Sequence, residues 1–228
     1  MEKIILDEKN KIAKGSHRAI YSHDDFKGKC FKVAFKSGQI ILRNQNKHWY
    51  KKIRPLSMYN ENIKEIRAYK ILNTKNNEIF NFIPKFYGIY KTNLGEAMLI
   101  DYIDGITLHK YLDKFGFTEQ LKQKFLELFK TFYKNNVQIR DQHLENYLVK
   151  TNESGDVLGL YLIDGIGNAQ LFPIADYIPY FGRKQLLSRI KVLIRNLKRD
   201  VPKIADFVDK NFNFDIIKNS LNKFISLP

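Results

Sequence analysis

The stretch QIRDQHLENYLV, residues 138–149, places an arginine, two acids, a histidine and several amides between apolar flanks. A chain that only turns a corner does not need that much polar chemistry. Asp141 stands five residues before Asn146, and Tyr147, Leu148 and Val149 follow at once as the start of a strand. Upstream, Thr118 to Asn135 reads as a long helix with Leu121, Phe125, Leu128 and Phe132 on one face. Downstream, NYLVK and LGLYLID read as two strands joined by the turn residues NESGD. The second strand ends in Asp164-Gly165. A carboxylate and an amide on one loop, with a carboxylate at the end of the neighbouring hairpin, can converge on one spot. Such oxygen ligands suit Mg²⁺, which keeps waters and binds phosphates beside one or two carboxylates. Each of the three residues taken singly also reads as a turn former or helix cap.

Further out, residues 1–45 read as short strands: Lys3 to Lys14, Arg18 to Ser22 and Cys30 to Phe35, broken by Gly15 and HDDFKGK. Residues 59–73 change to a helical period, with Ile63, Ile66, Tyr69 and, less neatly, Ile71 and Leu72 as the apolar positions and Asn60 or Asn62 as cap. KFYGIY and GEAMLIDYI form a hairpin across TNLG. Thr107 to Phe115 is a short helix, and the last 45 residues are helical. The order predicts an α+β fold, a small strand-rich lobe followed by a mostly helical one. Phosphoryl transfer needs a cation near the phosphates, a carboxylate holding it, and a backbone loop over the nucleotide. Lys32, in mid-strand in CFKVAF, and Glu65, in KEIRAYKIL, supply the first two. Lys32 as an edge-strand solubility residue and Glu65 as an exposed helix residue, with Glu61 its rival, are the plainer alternatives.

The 228 residues carry a net charge of +15, 44% hydrophobic residues and 14% aromatics. That composition fills a core and argues against disorder. No apolar run approaches membrane-spanning length, and MEKIILDEKNK lacks a secretory apolar stretch, so a cytoplasmic protein is expected, with peripheral attachment at the inner membrane as an option. The single cysteine, Cys30, excludes an internal disulfide and a cysteine zinc cluster. The basic balance suits nucleic acid, anionic membrane or phosphorylated substrates, and equally plain compositional drift. Its densest stretch, Arg183 to Lys203, has Leu186, Ile190, Leu193 and Leu197 at helical spacing, leaving a basic opposite face. No recognition helix or RNA-stacking motif is present, which disfavours nucleic acid. His17, His23, His48 and His109 show no metal spacing, and Trp49-Tyr50 suggest a lid or interaction loop.

In order along the chain, IAKGSHRAIY, CFKVA, EIRAYKIL, LIDYIDGITLHKYL, IRDQHLEN and LIDGIG resemble the glycine-rich loop, phosphate-lysine strand, glutamate helix, hinge, catalytic loop and metal segment of a protein-kinase-like bilobal fold. They span residues 12–167. GSHRAIYSHDDFKGKCFKV, IPKFYGIY and LIDGIGNAQLFPI are more narrowly similar to the bacterial PhoP regulatory network (YrbL-type) kinase-like proteins. The resemblance implies one kinase-like domain over 1–228, with an N-lobe at 1–101 and an abbreviated C-lobe at 102–228.

It implies an ATP-dependent phosphotransferase using Mg²⁺. Asp141 would orient or deprotonate an acceptor hydroxyl, and Asn146 and Asp164 would hold the metal. Lys32, positioned by Glu65, would meet the α- and β-phosphates. Gly15 and Ser16 would cover the phosphates, with Arg18 a further phosphate contact. Asp101 and Ile103 would bond the adenine edge, with Ile100 behind it. His143 stands where aminoglycoside-type phosphotransferases often carry histidine, which favours a small molecule, sugar or glycolipid acceptor over a protein. Departures point to the alternative of a weak or inactive nucleotide-binding regulator. Ala13 and Arg18 replace two loop glycines, Ile139 the histidine before Arg140, and Gly165-Ile166 the Phe-Gly pair. Residues 165–183 hold no Ser or Thr, so a phosphoserine or phosphothreonine switch there is excluded.

Overall fold

Sheet alternation organises the first compact unit, Met1–Tyr69 with Lys85–Tyr102; the second takes Lys70–Pro84 and Ile103–Pro228. The computed structural model describes residues 3–15, 18–35, 61–168 and 174–223. Unit 1 holds strands β1 (Lys11–Lys14), β2 (Arg18–Tyr21), β3 (Lys29–Ala34), β4 (Phe86–Thr92) and β5 (Gly95–Asp101), in the antiparallel order β1-β2-β3-β5-β4. Successive side chains point to opposite faces. One face buries Ala19, Tyr21, Phe31, Val33, Ala97 and Leu99 together with Leu6. Phe26 and Tyr90 meet Phe31 edge to face there, at 5.0 and 5.9 Å between centroids. The other face carries Arg18, Ile20, Cys30, Lys32, Met98 and Ile100, as the registers Ile20↔Lys32, Lys32↔Met98 and Cys30↔Ile100 require.

The expected strand from Lys3 to Lys14 is two pieces. Ile4 bridges Thr92 in parallel, Glu8–Asn10 makes a 3-10 turn, and β1 follows. Asp7, Glu8, Lys9 and Asn10 are four consecutive polar residues with no apolar position to sustain a period of two. Asn93, at the β4–β5 turn, ties the first piece down, accepting from Leu6 N at 2.8 Å and donating to Leu6 O at 3.2 Å.

Helix α1 (Glu61–Leu72) forms where the helical period predicts it. Tyr69 and Leu72 are buried as expected, but the rest of the inward face is Asn62, Glu65 and Ala68, while Ile63, Ile66 and Ile71 are half-buried. Asn62 lies inside the helix and donates to the Lys32 carbonyl at 3.0 Å. Polar partners on β2 and β3 outweigh the isoleucines in setting the helix's rotation. Asn60 lies outside the described residues, as do Trp49, Tyr50, His17 and His48, and nothing is described of the Glu61 side chain.

In unit 2, α2 (Leu108–Phe115) and α3 (Glu119–Lys134) start at Thr107 and Thr118, whose hydroxyls accept from Lys110 N and Leu121 N. Capping of this kind satisfies orphan helix donors. Strands β6 (Ile106–Thr107), β7 (Tyr147–Thr151) and β8 (Val157–Leu162) form an antiparallel sheet in that order. Helices α4 (Ile174–Tyr177), α5 (Pro179–Asp200), α6 (Ala205–Asn211) and α7 (Phe214–Asn222) complete it. Leu121, Phe125, Leu128 and Phe132 of α3 and Leu186, Ile190, Leu193 and Leu197 of α5 are buried, as their spacing predicts. Phe117, Phe125 and Phe129 gather around Phe212 at centroid distances of 4.9, 5.4 and 6.2 Å.

The end of α3 is fastened firmly. Lys75 Nζ donates to the carbonyls of Asn135 and Asn136, at 2.7 and 3.0 Å. Burial lowers the Lys75 pKa and raises that of Asp176, each opposed by the other's charge. Asn136, at φ 52°, donates from its amide to the Ala175 carbonyl at 2.9 Å, and Gln138 Nε2 donates to Asn136 Oδ1 at 3.1 Å. Gly182 of α5 makes this approach possible, because a Cβ there would overlap Asn136 Oδ1 and the Ala175 oxygen. Gly182→Ala is therefore expected to lower stability by about 1–3 kcal/mol, the usual range for overpacking, despite alanine's better helix propensity. Urea unfolding checks it, and an unchanged or raised midpoint would show that the contact yields easily.

Candidate functional site

Two sets of side chains matter, one in each unit. In unit 1, β3 is the middle strand of the sheet and Lys32 is only 4% exposed, so it is no edge-strand lysine. Its Nζ lies 2.7 Å from Glu65 Oε1. Arg18 Nη1 donates to the other oxygen, Glu65 Oε2, at 2.5 Å. Glu65 is fully buried and Arg18 nearly so. One carboxylate thus takes a cation on each oxygen. Arg18, expected at a phosphate, is held by Glu65. No local sequence pattern marked Arg18 as a partner of a residue 47 positions away.

Cys30 shares the Lys32 face. Burial pushes its thiol up to about 11; Lys32's charge works against this, and the carboxylates of Asp101 and Glu65 add to it. Its Sγ approaches the Asp101 carbonyl at 3.8 Å, a weak contact. Asp101 is anchored through its side chain, accepting from Lys85 N at 2.9 Å and Tyr87 Oη at 2.7 Å. Ile100 is buried opposite Cys30. Gly15 donates from its N–H to the Arg18 carbonyl at 2.9 Å, closing the β1–β2 turn; Ser16 lies outside the described residues. Ile103 opens the longer segment of the second unit and is half-buried.

In unit 2, Asp141, Asn146 and Asp164 are brought together by backbone stitching. Ile139 and Ile166 form an antiparallel bridge. Arg140 N donates to Gly165 O at 2.6 Å, Gly167 N to Gln138 O at 2.9 Å, and Ile163 N to Asn146 O at 2.8 Å. Gly165 sits at φ 77°, and a Cβ there would come within 2.9 Å of Asp141 Cβ and 3.0 Å of its carbonyl oxygen. Glycine serves both the backbone angle and the close approach. The Asp164 carboxylate accepts from Gly165 N at 2.5 Å. Asn196 of α5 holds the loop from below, donating to Gln142 O at 2.9 Å. Ile139 and Ile166, two of the positions that depart from the expected motifs, are thus both buried and directly opposed.

His143 lies beside Asp141, its N–H donating to Asp141 Oδ1 at 3.3 Å and its Nε2 at 3.6 Å from the same oxygen. Both side chains are exposed. Beneath them, Tyr147 is fully buried, and its hydroxyl has no hydrogen-bond partner among the described residues. Burial first, then the negative charge of Asp141, pushes its phenol well above the ordinary value. Tyr147 was legible only as a strand residue. Among the described residues no group of three His, Cys, Asp or Glu side chains gathers to hold a metal. A site of one carboxylate and one amide, completed by water and phosphate, would not need one.

Residues 4–198 match the model of the family described as PhoP regulatory network protein YrbL. The chain belongs to this family. No curated protein matches it. Among solved structures, Rad53 1-466 in complex with AMP-PNP is similar over 95% of this chain and 60% of that one, with a TM-score of 0.55 and 14% identity. The BubR1 kinase domain matches over 68% of this chain and 45% of that one, with a TM-score of 0.43 and 14% identity. This YrbL-family chain spans less than two thirds of either structure. Its fold is protein-kinase-like.

Breaking a buried ion pair by removing one partner costs about 3–5 kcal/mol, because the remaining charge is stranded. Glu65→Leu, which removes the carboxylate that Lys32 and Arg18 share, should lose at least that much in urea unfolding. Arg18→Leu, Lys32→Met and Glu65→Leu combined should recover most of the loss. If the single and triple variants are equally unstable, packing around Glu65 matters and its charge does not.

Proposed function

We propose that this YrbL-family protein is an ATP-dependent phosphotransferase acting on a hydroxyl of a small molecule, sugar or glycolipid. The observation that carries this reading is the buried Lys32–Glu65 pair. Replacing a buried ion pair with apolar residues is often neutral or stabilising. A lysine in the middle of a sheet, held by a fully buried glutamate, is therefore better explained by work on an anion than by stability. Lys32 would meet the α- and β-phosphates, and Rad53, solved with AMP-PNP, lends the fold a nucleotide precedent.

The donor chemistry of Asn146 and Asp164, both oxygen ligands and adjoining through the Ile163–Asn146 bond, fits Mg²⁺, which would neutralise phosphate charge. Asp141 would orient the acceptor and take its proton. The acceptor oxygen forms the new bond to the γ-phosphorus, the bond to the bridging oxygen breaks, and ADP leaves. Positioning and charge neutralisation do most of the catalysis in such a transfer. His143, exposed beside Asp141, would contact the acceptor. Residues 165–183 hold no Ala-Pro-Glu motif of a protein-kinase peptide platform, which supports an acceptor other than a protein.

One observation favours a second reading, a nucleotide-binding regulator without turnover: Arg18 stands in place of a loop glycine and is engaged by Glu65.

Asp141→Asn should abolish product formation while ATP binding stays within about threefold, and Asp164→Ala should remove the Mg²⁺-dependent part of ATP-induced thermal stabilisation. Undiminished turnover in Asp141→Asn would remove Asp141 from its role. ATP binding by the wild type, without hydrolysis or transfer to any of a panel of sugar and glycolipid acceptors, would favour the regulator.

A further inference from the structure

Five large apolar side chains stand exposed within eight residues of unit 2: Ile174, Tyr177, Ile178, Tyr180 and Phe181. No other stretch of the described residues concentrates so many. Tyr177 and Tyr180 are 71% and 70% exposed. Contiguous exposed apolar patches on a folded surface mark interaction sites. The patch runs directly into the exposed stripe of α5, where Phe181, Lys184, Ser188, Lys191, Arg195 and Arg199 recur every three or four residues. From Tyr177 to Arg199 the chain holds seven Lys and Arg and no Asp or Glu. Lys184 and Arg195 make no ion pair among the described residues. Beside Phe181 lies a recess of about 590 Å³, whose lining includes Lys184, Gln185, Ser188 and Arg189.

We propose that this corner docks on a bilayer surface bearing anionic phospholipid, independently of any catalytic reading. Tyrosines beside aliphatic residues suit the boundary between headgroups and acyl chains. A lysine- and arginine-rich stripe continuous with them suits the negative potential of such a surface. The recess, basic on one side and apolar on the other, suits a phosphate headgroup with the start of its chains. A second copy of the chain is the weaker occupant, because a two-fold contact would set this basic stripe against itself. Among the described residues no helix is long and apolar enough to cross a membrane, so attachment through these residues would lie along the surface.

The test is flotation of the full chain with vesicles of phosphatidylcholine alone, or of phosphatidylcholine with phosphatidylglycerol. Binding is expected to the second only. Tyr180→Ser with Phe181→Ser, and separately Lys184→Glu with Arg195→Glu, should each weaken it at least roughly tenfold. Should the first pair disturb the fold by circular dichroism, the second pair, on exposed positions, decides. No binding to phosphatidylglycerol vesicles overturns the proposal. Binding undiminished in the folded variants also overturns it, because the chain's general positive charge would then suffice. Self-association in sedimentation velocity that Tyr180→Ser with Phe181→Ser abolishes would assign the patch to a second copy instead.

Discussion

One buried carboxylate, Glu65, orders the chemistry of unit 1. It accepts from Lys32 and Arg18 at once, and with Asn62 it sets the rotation of α1 against the sheet. Removing three charged groups from water is expensive unless each is well met. Here the geometry meets them, with 2.7 and 2.5 Å contacts on separate oxygens. The result is a lysine ammonium held at a fixed point on the sheet face that also carries Cys30 and Ile100.

Unit 2 relies on backbone instead of charge. The Asp141 loop and the Asp164 segment are joined by the Ile139–Ile166 bridge and by hydrogen bonds through Gly165, Gly167 and Ile163. The two isoleucines, both buried, face each other across that bridge. The same helix that carries the exposed basic stripe holds the loop through Asn196. Gly182 and Asn136 fix where that helix meets the end of α3.

Much of this was legible beforehand. Helices α2, α3 and α5 and the β4–β5 and β7–β8 hairpins follow from apolar period, Thr caps and turn residues, all local signals. What escaped was non-local. The buried face of α1 is set by Arg18 and Lys32, far away in sequence, so its isoleucines misled. The first strand broke because Asp7 to Asn10 supply no alternation. Strand β6 is two residues long and exists only through pairing with β7. Arg18 was readable as a cation but not as the second partner of Glu65. The aromatic corner at Tyr177–Phe181 carried no periodic signal, and its exposure is a property of the fold.

The most direct measurement is isothermal titration of Mg·ATP into the wild type and into Lys32→Met. If the Arg18–Glu65–Lys32 cluster exists to present an ammonium to phosphates, the wild type binds with measurable heat. The methionine variant takes one of two cations from Glu65, so it should be less stable yet, with Arg18 still on that carboxylate, folded by circular dichroism, and should then lose about tenfold or more in affinity. Equal affinity in the two proteins, or no binding to the wild type at all, would contradict it.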